Sequence, residues 1–258
     1  MCLFSGDNKN MRYNPRRHRL EVCNAYGVLL VDKPADWTSF DVVNFVRARF
    51  NVPKVGHCGT LDPAATGLLV LTLGKFTAFS NRFAGEDKTY EATLKLGVTT
   101  DSYDMEGEIT SECDASHLTD DEVTNAINSF KGAQKQLPPM VSAVKVGGKK
   151  LYELARKGIE IEREARDIEI SAIDITRCAN PEYDFTVTCS KGTYIRTLCH
   201  DIGQKLGVGG TLSALRRTRS GKFNVSDALS IEKIKEMDQD AITDYLAQHL
   251  IKLAGEAE

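Results

Sequence analysis

Two short apolar runs, residues 27–31 and 68–73, the second interrupted only by Thr72, restrict most tightly what this chain can fold into. A run of this length, apolar at nearly every position, is the pattern of a buried strand. It is far too short to cross a bilayer, which takes roughly 20 apolar residues as a helix. Between the two runs, Thr38 or Ser39 opens a helix whose apolar positions Val42, Val43, Val46 and Phe50 recur at helical spacing. Residues 51–67 are punctuated by Pro53, Gly56, Gly59, Pro63 and Gly67, the composition of a loop. Residues 90–96 alternate as a half-buried strand should. Thr119 and Glu122 form a capping box that opens a helix through Phe130. Residues 133–150 carry Pro138-Pro139 and Gly147-Gly148 and read as a ribbon or loop, followed by a short helix over 151–157 that ends at Gly158. Residues 168–175 and 185–189 read as paired strands turned at Asn180-Pro181. Ile195, Leu198, Ile202 and Leu206 mark an amphipathic helix over 194–206, and residues 231–237 and 241–253 are terminal helices. Strands and helices do not alternate regularly, so the expected class is mixed α+β and not a doubly wound sheet.

Composition narrows the function classes. The 258 residues are 41% hydrophobic and 27% charged, enough for a packed core in one domain with at most a small appendage. The N-terminus has no basic stretch leading into an apolar one, so no secretory signal is expected, and Met11 could serve as a start. Residues 1–26, with Lys9, Arg12, Arg16, Arg17 and Arg19, read as a flexible basic tail. Seven cysteines are scattered without a Cys-x-x-Cys spacing, which fits a reducing cytoplasm better than a disulfide scaffold or a zinc knuckle. His57-Cys58 and Cys199-His200 are adjacent pairs; neighbours on a strand point to opposite faces, so no metal site is expected. The net charge of −3 argues against a polyanionic partner, but its distribution does not. Residues 191–222 carry seven Lys and Arg against Asp201 alone, while residues 101–122 carry nine acids and no Lys or Arg. A nucleic-acid partner needs a local basic face, not a basic total; the plainer reading of such a cluster is solvated surface.

Residues 56–67 are the densest chemical candidate, with His57, Thr60, Asp62, Pro63 and Thr66 among glycines. Asp62-Pro63 also has an ordinary explanation, in which the Asp caps a turn and the Pro presets the next φ. A second constellation runs from Ser190 to Arg196. Gly192 would permit close backbone approach before a helix, and Arg196 in the first turn could pair with a carboxylate or a phosphate. Residues 67–75 have the wrong spacing for a P-loop, and Gly207-Val208-Gly209-Gly210 follows a helix where a dinucleotide fingerprint would open one.

In order along the chain, Gly27–Pro34, Gly56–Gly67, Lys88-Thr89-Tyr90, Gln136–Ala143, Ser190–Arg196 and Leu215-Arg216-Arg217 resemble the TruB family of tRNA pseudouridine synthases, over about residues 27–225. The resemblance implies a mixed, mostly antiparallel sheet around a central cleft. It implies isomerisation of the T-loop uridine at tRNA position 55, with no cofactor and no metal. Asp62 matches the catalytic carboxylate, Arg196 the cation that pairs with it and holds its pKa down, and Tyr90 the aromatic residue beside the base. His57 matches the side chain that fills the space left by a flipped nucleotide. Thr60, Tyr194 and Leu215 would line the pocket, and Lys33 and Lys191 would support the substrate site. Residues 133–166 match an RNA-gripping insertion; residues 136–166 hold seven basic side chains against four acidic ones.

Two positions depart from the family pattern, Cys58 and Val141. A PUA domain is also not expected, because residues 231–258 form a short helical segment with seven acids against three lysines. The reading is therefore a catalytic domain over 27–230, acting on the tRNA T-arm as a cytoplasmic monomer without a protein partner. A guide-RNA-dependent relative and a non-catalytic tRNA-binding or folding module are the alternatives.

Overall fold

The computed structural model describes residues 21–142, 145–146, 149–151, 158–159 and 161–255. Of the expected helix over 151–157, only Leu151 falls within them. The strands are β1 (Gly27–Lys33), β2 (Val55–His57), β3 (Thr66–Leu73), β4 (Lys88–Leu96), β5 (Val98–Thr100), β6 (Ile109–Glu112) and β7 (Gly132–Gln136), then β8 (Lys145–Val146), β9 (Lys149–Lys150), β10 (Arg166–Ala179), β11 (Glu182–Cys189), β12 (Gly210–Ser220), β13 (Phe223–Asn224) and β14 (Leu229–Ser230). Ten of them make one sheet, in the order β14-β1-β3-β12-β4-β11-β10-β7, with β2 also paired to β3 and β13 to β12. The β1/β14 and β3/β12 pairs are parallel and the others antiparallel, the mixed sheet expected of the sequence.

The two apolar runs are covered on both faces. Leu29, Val31, Leu69 and Leu71 point into the main core, while Val28, Leu30, Leu68 and Val70 point into a smaller one with Cys58 and Phe223. That double burial is why β1 and β3 carry no polar alternation. Farther along the sheet only one face is covered. Ala92, Leu94, Tyr183, Phe185 and Val187 enter the main core and alternate with partly exposed or exposed neighbours.

Helices close the main core. Ser39–Phe50 contributes Val42, Val43, Val46 and Phe50, and its first turn is fixed by a capping box between Thr38 and Asp41. Asp120–Asn128, behind the expected capping box at Thr119, contributes Val123 and Ile127. Ile195–Leu206 contributes Ile195, Leu198 and Ile202. The acidic terminal segment is helical, over Ile231–Glu236 and Gln239–Gly255, and buries Ile231, Ile234, Ile242 and Leu246.

Three local expectations change. The loop over 51–67 contains β2, which pairs with Leu71–Leu73 at the inner edge of β3. Gly132–Gln136 extends the sheet beyond β10, while β8 pairs with β9 in the ribbon expected within 133–150. Residues 21–26 belong to the body: Cys23 and Ala25 are buried, and the Cys23 N–H donates to Asn51 O at 3.2 Å.

Candidate active site

The catalytic candidate sits on the loop that leaves β2 and enters β3. Its main chain is fastened at every second residue. Gly59 O accepts from Arg217 Nη2 at 3.2 Å. The Leu61 N–H donates to Ser39 Oγ at 2.8 Å, and the same hydroxyl donates to Leu61 O at 3.1 Å. Pro63 O accepts from Lys33 Nζ and from the Asp36 N–H, each at 3.0 Å. Thr60 and Asp62, the residues between, line a cleft of about 260 Å³ together with Lys88, Tyr90, Tyr194, Arg196, Leu215 and Arg217. That volume is just under the roughly 300–1,000 Å³ of sites for drug-sized ligands, on the scale of one nucleotide base.

The turn-capping explanation of Asp62 fails in the structure. Its carbonyl closes the turn by accepting from the Ala65 N–H at 3.2 Å. Its carboxylate instead meets Arg196, with Oδ2 3.0 Å from Nε in an ion pair and Oδ1 accepting from Nη2 at 3.4 Å. The Asp62 side chain keeps 39% of its exposure, whereas that of Arg196 keeps 4%. Arg196 is held from other directions as well: Nη1 donates to Ser102 O at 3.0 Å and lies 3.3 Å from Asp104 Oδ2, and Nη2 donates to Val141 O at 2.9 Å. Asp104 is itself fixed, accepting from Ser102 Oγ at 2.6 Å and from the Glu106 N–H at 3.1 Å.

This divided guanidinium corrects one expectation. Burial pushes the Asp62 carboxyl above its ordinary value; Arg196 pulls it down, Asp104 adds to the rise and Lys33 opposes it. The net direction is upward. Arg196 does favour the ionised form, but it is shared with a second carboxylate, and desolvation outweighs it.

Arg196 owes its place to the start of the Ile195–Leu206 helix. Tyr194 caps that helix without a side-chain bond, and Gln136 grips its main chain from β7, accepting from the Tyr194 N–H at 2.8 Å and donating to Tyr194 O at 3.0 Å. The sequence predicts close backbone approach at Gly192, and the structure shows another reason for it. A Cβ there would meet nothing within 4 Å, so its φ of +81° is what requires glycine.

Tyr90 is buried in β4; burial raises its hydroxyl pKa and the Arg217 charge opposes the rise. Arg217 is 1% exposed; its Nε donates to Leu68 O at 2.7 Å. Lys88, also buried, donates to Ala84 O at 2.7 Å, and burial lowers its pKa. Neither Arg217 nor Lys88 was singled out from the sequence as a site residue. The available signal was register: Leu215 and Arg217 are two apart on one strand, so a pocket wall at Leu215 implies the same face for Arg217.

Of the remaining expectations, Thr60, Tyr194 and Leu215 do line the cleft. Lys33 does not: it is fully buried and donates to the carbonyls of Pro34, Trp37 and Pro63 at 2.8, 2.6 and 3.0 Å, so it supports the loop and cannot touch a substrate. Lys191 is exposed outside the cleft lining. His57, in β2, is half-buried and outside that lining, and burial followed by the Arg217 charge lowers its pKa. Cys58 is fully buried in the smaller core, its thiol pushed up to about 11 by burial. Val141 is 37% exposed and acts through its carbonyl.

Residues 47–195 match the TruB family pseudouridylate synthase N-terminal domain, and residues 196–253 match the tRNA pseudouridylate synthase B C-terminal domain. The chain belongs to the TruB family. It is 51% identical over 210 residues to the tRNA pseudouridine synthase B of Clostridium tetani, covering 81% of this chain and 73% of that one. To that of Opitutus terrae it is 50% identical over 211 residues, covering 82% and 88%. Among solved structures it resembles a chain of a Cbf5-Nop10-Gar1 complex at 30% identity and a TM-score of 0.63, over 87% of this chain and 60% of that one. It also resembles a chain of an H/ACA RNP bound to a substrate RNA containing 2′-deoxyuridine, at 26% identity and a TM-score of 0.61, over 87% and 59%. In this TruB member the boundary between the two matched domains falls between Ile195 and Arg196, so the Asp62–Arg196 ion pair joins them.

Proposed function

We propose that this TruB member isomerises the uridine at position 55 of the tRNA T-loop to pseudouridine, with Asp62 as the catalytic carboxylate. The observation that carries the assignment is an Asp62 carboxylate that faces the cleft and bonds to none of the described residues except Arg196. In the reaction the N1–C1′ bond breaks, the base turns, and a C5–C1′ bond forms. The C5 proton leaves and N1 gains one, so atoms balance without an added reactant. Breaking the glycosidic bond leaves an electron-poor sugar and an electron-rich base. One ionised carboxylate answers that need as nucleophile or base.

Each neighbour has a separate task. Arg196 orients Asp62 and favours its charge. Tyr90 presents a ring on which the flipped base stacks, at a cost of a few kcal/mol for unstacking it from the loop. Arg217 braces the loop behind the cleft through Leu68 O and Gly59 O. Free cysteines, with Cys58 and Cys189 buried, fit a cytoplasmic setting, and the chain acts on the T-arm as a monomer.

The test is release of tritium from tRNA labelled at C5 of uridine. The purified chain alone should release it, and Asp62→Asn should not. Release that requires added guide RNA or a Nop10-like protein would favour the guide-dependent reading, which the likeness to the Cbf5 complexes makes the second candidate. Release by Asp62→Asn would remove Asp62 from the chemistry.

A further inference from the structure

We propose that Ser39 is a positioning residue for Asp62: its hydroxyl sets the direction in which the carboxylate leaves the loop. The inference rests on Asp62 being the catalytic group. Ser39 is 2% exposed and does not line the cleft. A hydroxyl offers one donor and two acceptor sites. Ser39 spends the donor on Leu61 O, at 3.1 Å, and an acceptor on the Leu61 N–H, at 2.8 Å. Both main-chain polar groups of the residue before Asp62 are therefore tied to one atom, which brackets the two peptide planes on either side of Leu61.

That atom stands on a rigid post. Ser39 is the first residue of its helix, immediately after the Thr38 cap. The cap bonds between Thr38 and Asp41, at 2.9 and 3.0 Å, stabilise the helix end and do not touch the 59–63 loop. Val42, Val43 and Val46 then root the helix in the main core. The Leu61 side chain is buried in the same core. Beyond Asp62, Lys33 and the Asp36 N–H hold Pro63 O. Among the described residues, only Arg196 bonds to the Asp62 side chain itself. Its aim is thus set by Arg196 on the carboxylate and by main chain fixed at 61 and 63. Without the Ser39 hydroxyl, a buried N–H and a buried C=O lose their partner, and the 61–62 peptide is free to rotate to recover one. A displacement of about 1 Å at a reacting group can cost on the order of a hundredfold in rate.

The experiment compares Ser39→Ala with Thr38→Ala in the full chain, by single-turnover tritium release, tRNA affinity and thermal unfolding. Thr38→Ala removes the helix cap but leaves both Leu61 bonds, so it controls for stability alone. Ser39→Ala should slow release by about 10–100-fold with tRNA affinity within about twofold. Thr38→Ala should lower the unfolding temperature yet keep the rate within about twofold. Ser39→Cys fills the same space with a weaker donor and acceptor, and should fall between Ser39→Ala and the unmodified chain. The proposal is overturned if Ser39→Ala or Ser39→Cys releases tritium at the unmodified rate, or if Thr38→Ala slows release as much as Ser39→Ala. An unmodified chain that releases nothing, or an Asp62→Asn chain that still does, would defeat the Asp62 assignment instead.

Discussion

Gly67→Ala should break the fold at the point where β3 meets β12, and by an amount that can be separated into parts. Gly67 pairs in parallel with Arg217 and has φ +98°. A Cβ at Gly67 would lie 2.8 Å from Arg217 N and 3.0 Å from its carbonyl carbon, and closer still to the carbonyl oxygen. These are main-chain atoms of a central strand, so they cannot swing aside as a side chain could. Two costs add. A non-glycine residue at such a φ stores about 1–3 kcal/mol of strain. Forcing a methyl into packed main chain adds about 1–3 kcal/mol. Gly132→Ala isolates the first cost, because Gly132 has φ +105° and nothing within 4 Å of its would-be Cβ. Thermal unfolding of both variants, followed by circular dichroism, should place Gly67→Ala below Gly132→Ala. At about 2–4 °C per kcal/mol, the gap should be roughly 2–12 °C. Equal melting temperatures would refute the steric reading and leave strain as the whole effect.

Four further outcomes follow from the site and its surroundings. The carboxyl of Asp62 sits above its ordinary 3.8, and it must be ionised to act, so kcat/KM should fall as pH drops through a value above 3.8. Asp104 raises that pKa and shares Arg196, so Asp104→Asn should move the acidic limb of the pH–rate profile to lower pH; a limb that stays or rises contradicts the shared guanidinium. Arg217→Lys cannot reproduce a planar fork to Leu68 O and Gly59 O, so it should cost roughly 1–3 kcal/mol in denaturant unfolding and also slow tritium release. Alkylation of the native chain at pH 8 should mark exposed Cys113 and Cys178 and spare Cys58 and Cys189, whose thiols are pushed up to about 11; mass spectrometry of the labelled peptides reads this directly.

What could be read from the sequence depended on how each residue declares itself. Asp62 and Arg196 stood in compact motifs, and β1 and β3 declared double burial through nearly continuous apolar runs. β12 was missed although it is central, because Ser213, Arg216, Arg217 and Arg219 break any apolar pattern. The strand is tolerated there because those arginines find partners: Arg217 carbonyls on the neighbouring loop and strand, Arg216 the Asp32 carboxylate at 2.7 Å. Charge patterning reads an arginine as solvated surface, and only three-dimensional context shows one buried. Asp104 was hidden for the opposite reason, as one of nine acids in a single segment. For Lys33 the resemblance implies a support of the substrate site without saying of what kind; its three carbonyl partners come from backbone turns that no residue pattern announces.

The position of β12 has a consequence for how the molecule comes into being. β3 and β4 follow one another in the sequence, yet β12 lies between them in the sheet. Until residues 210–220 have been synthesised, β1 with β3 and β4 with β11, β10 and β7 are separate half-sheets with a gap at the future cleft. Long-range pairing of this kind comes late, after the loops that permit it have closed. Asp62 leaves the ribosome early, but the strand that seats Arg217 against its loop is among the last. A nascent chain therefore holds its carboxylate without a pocket, and activity during synthesis would mark the moment at which the two halves of the sheet are joined.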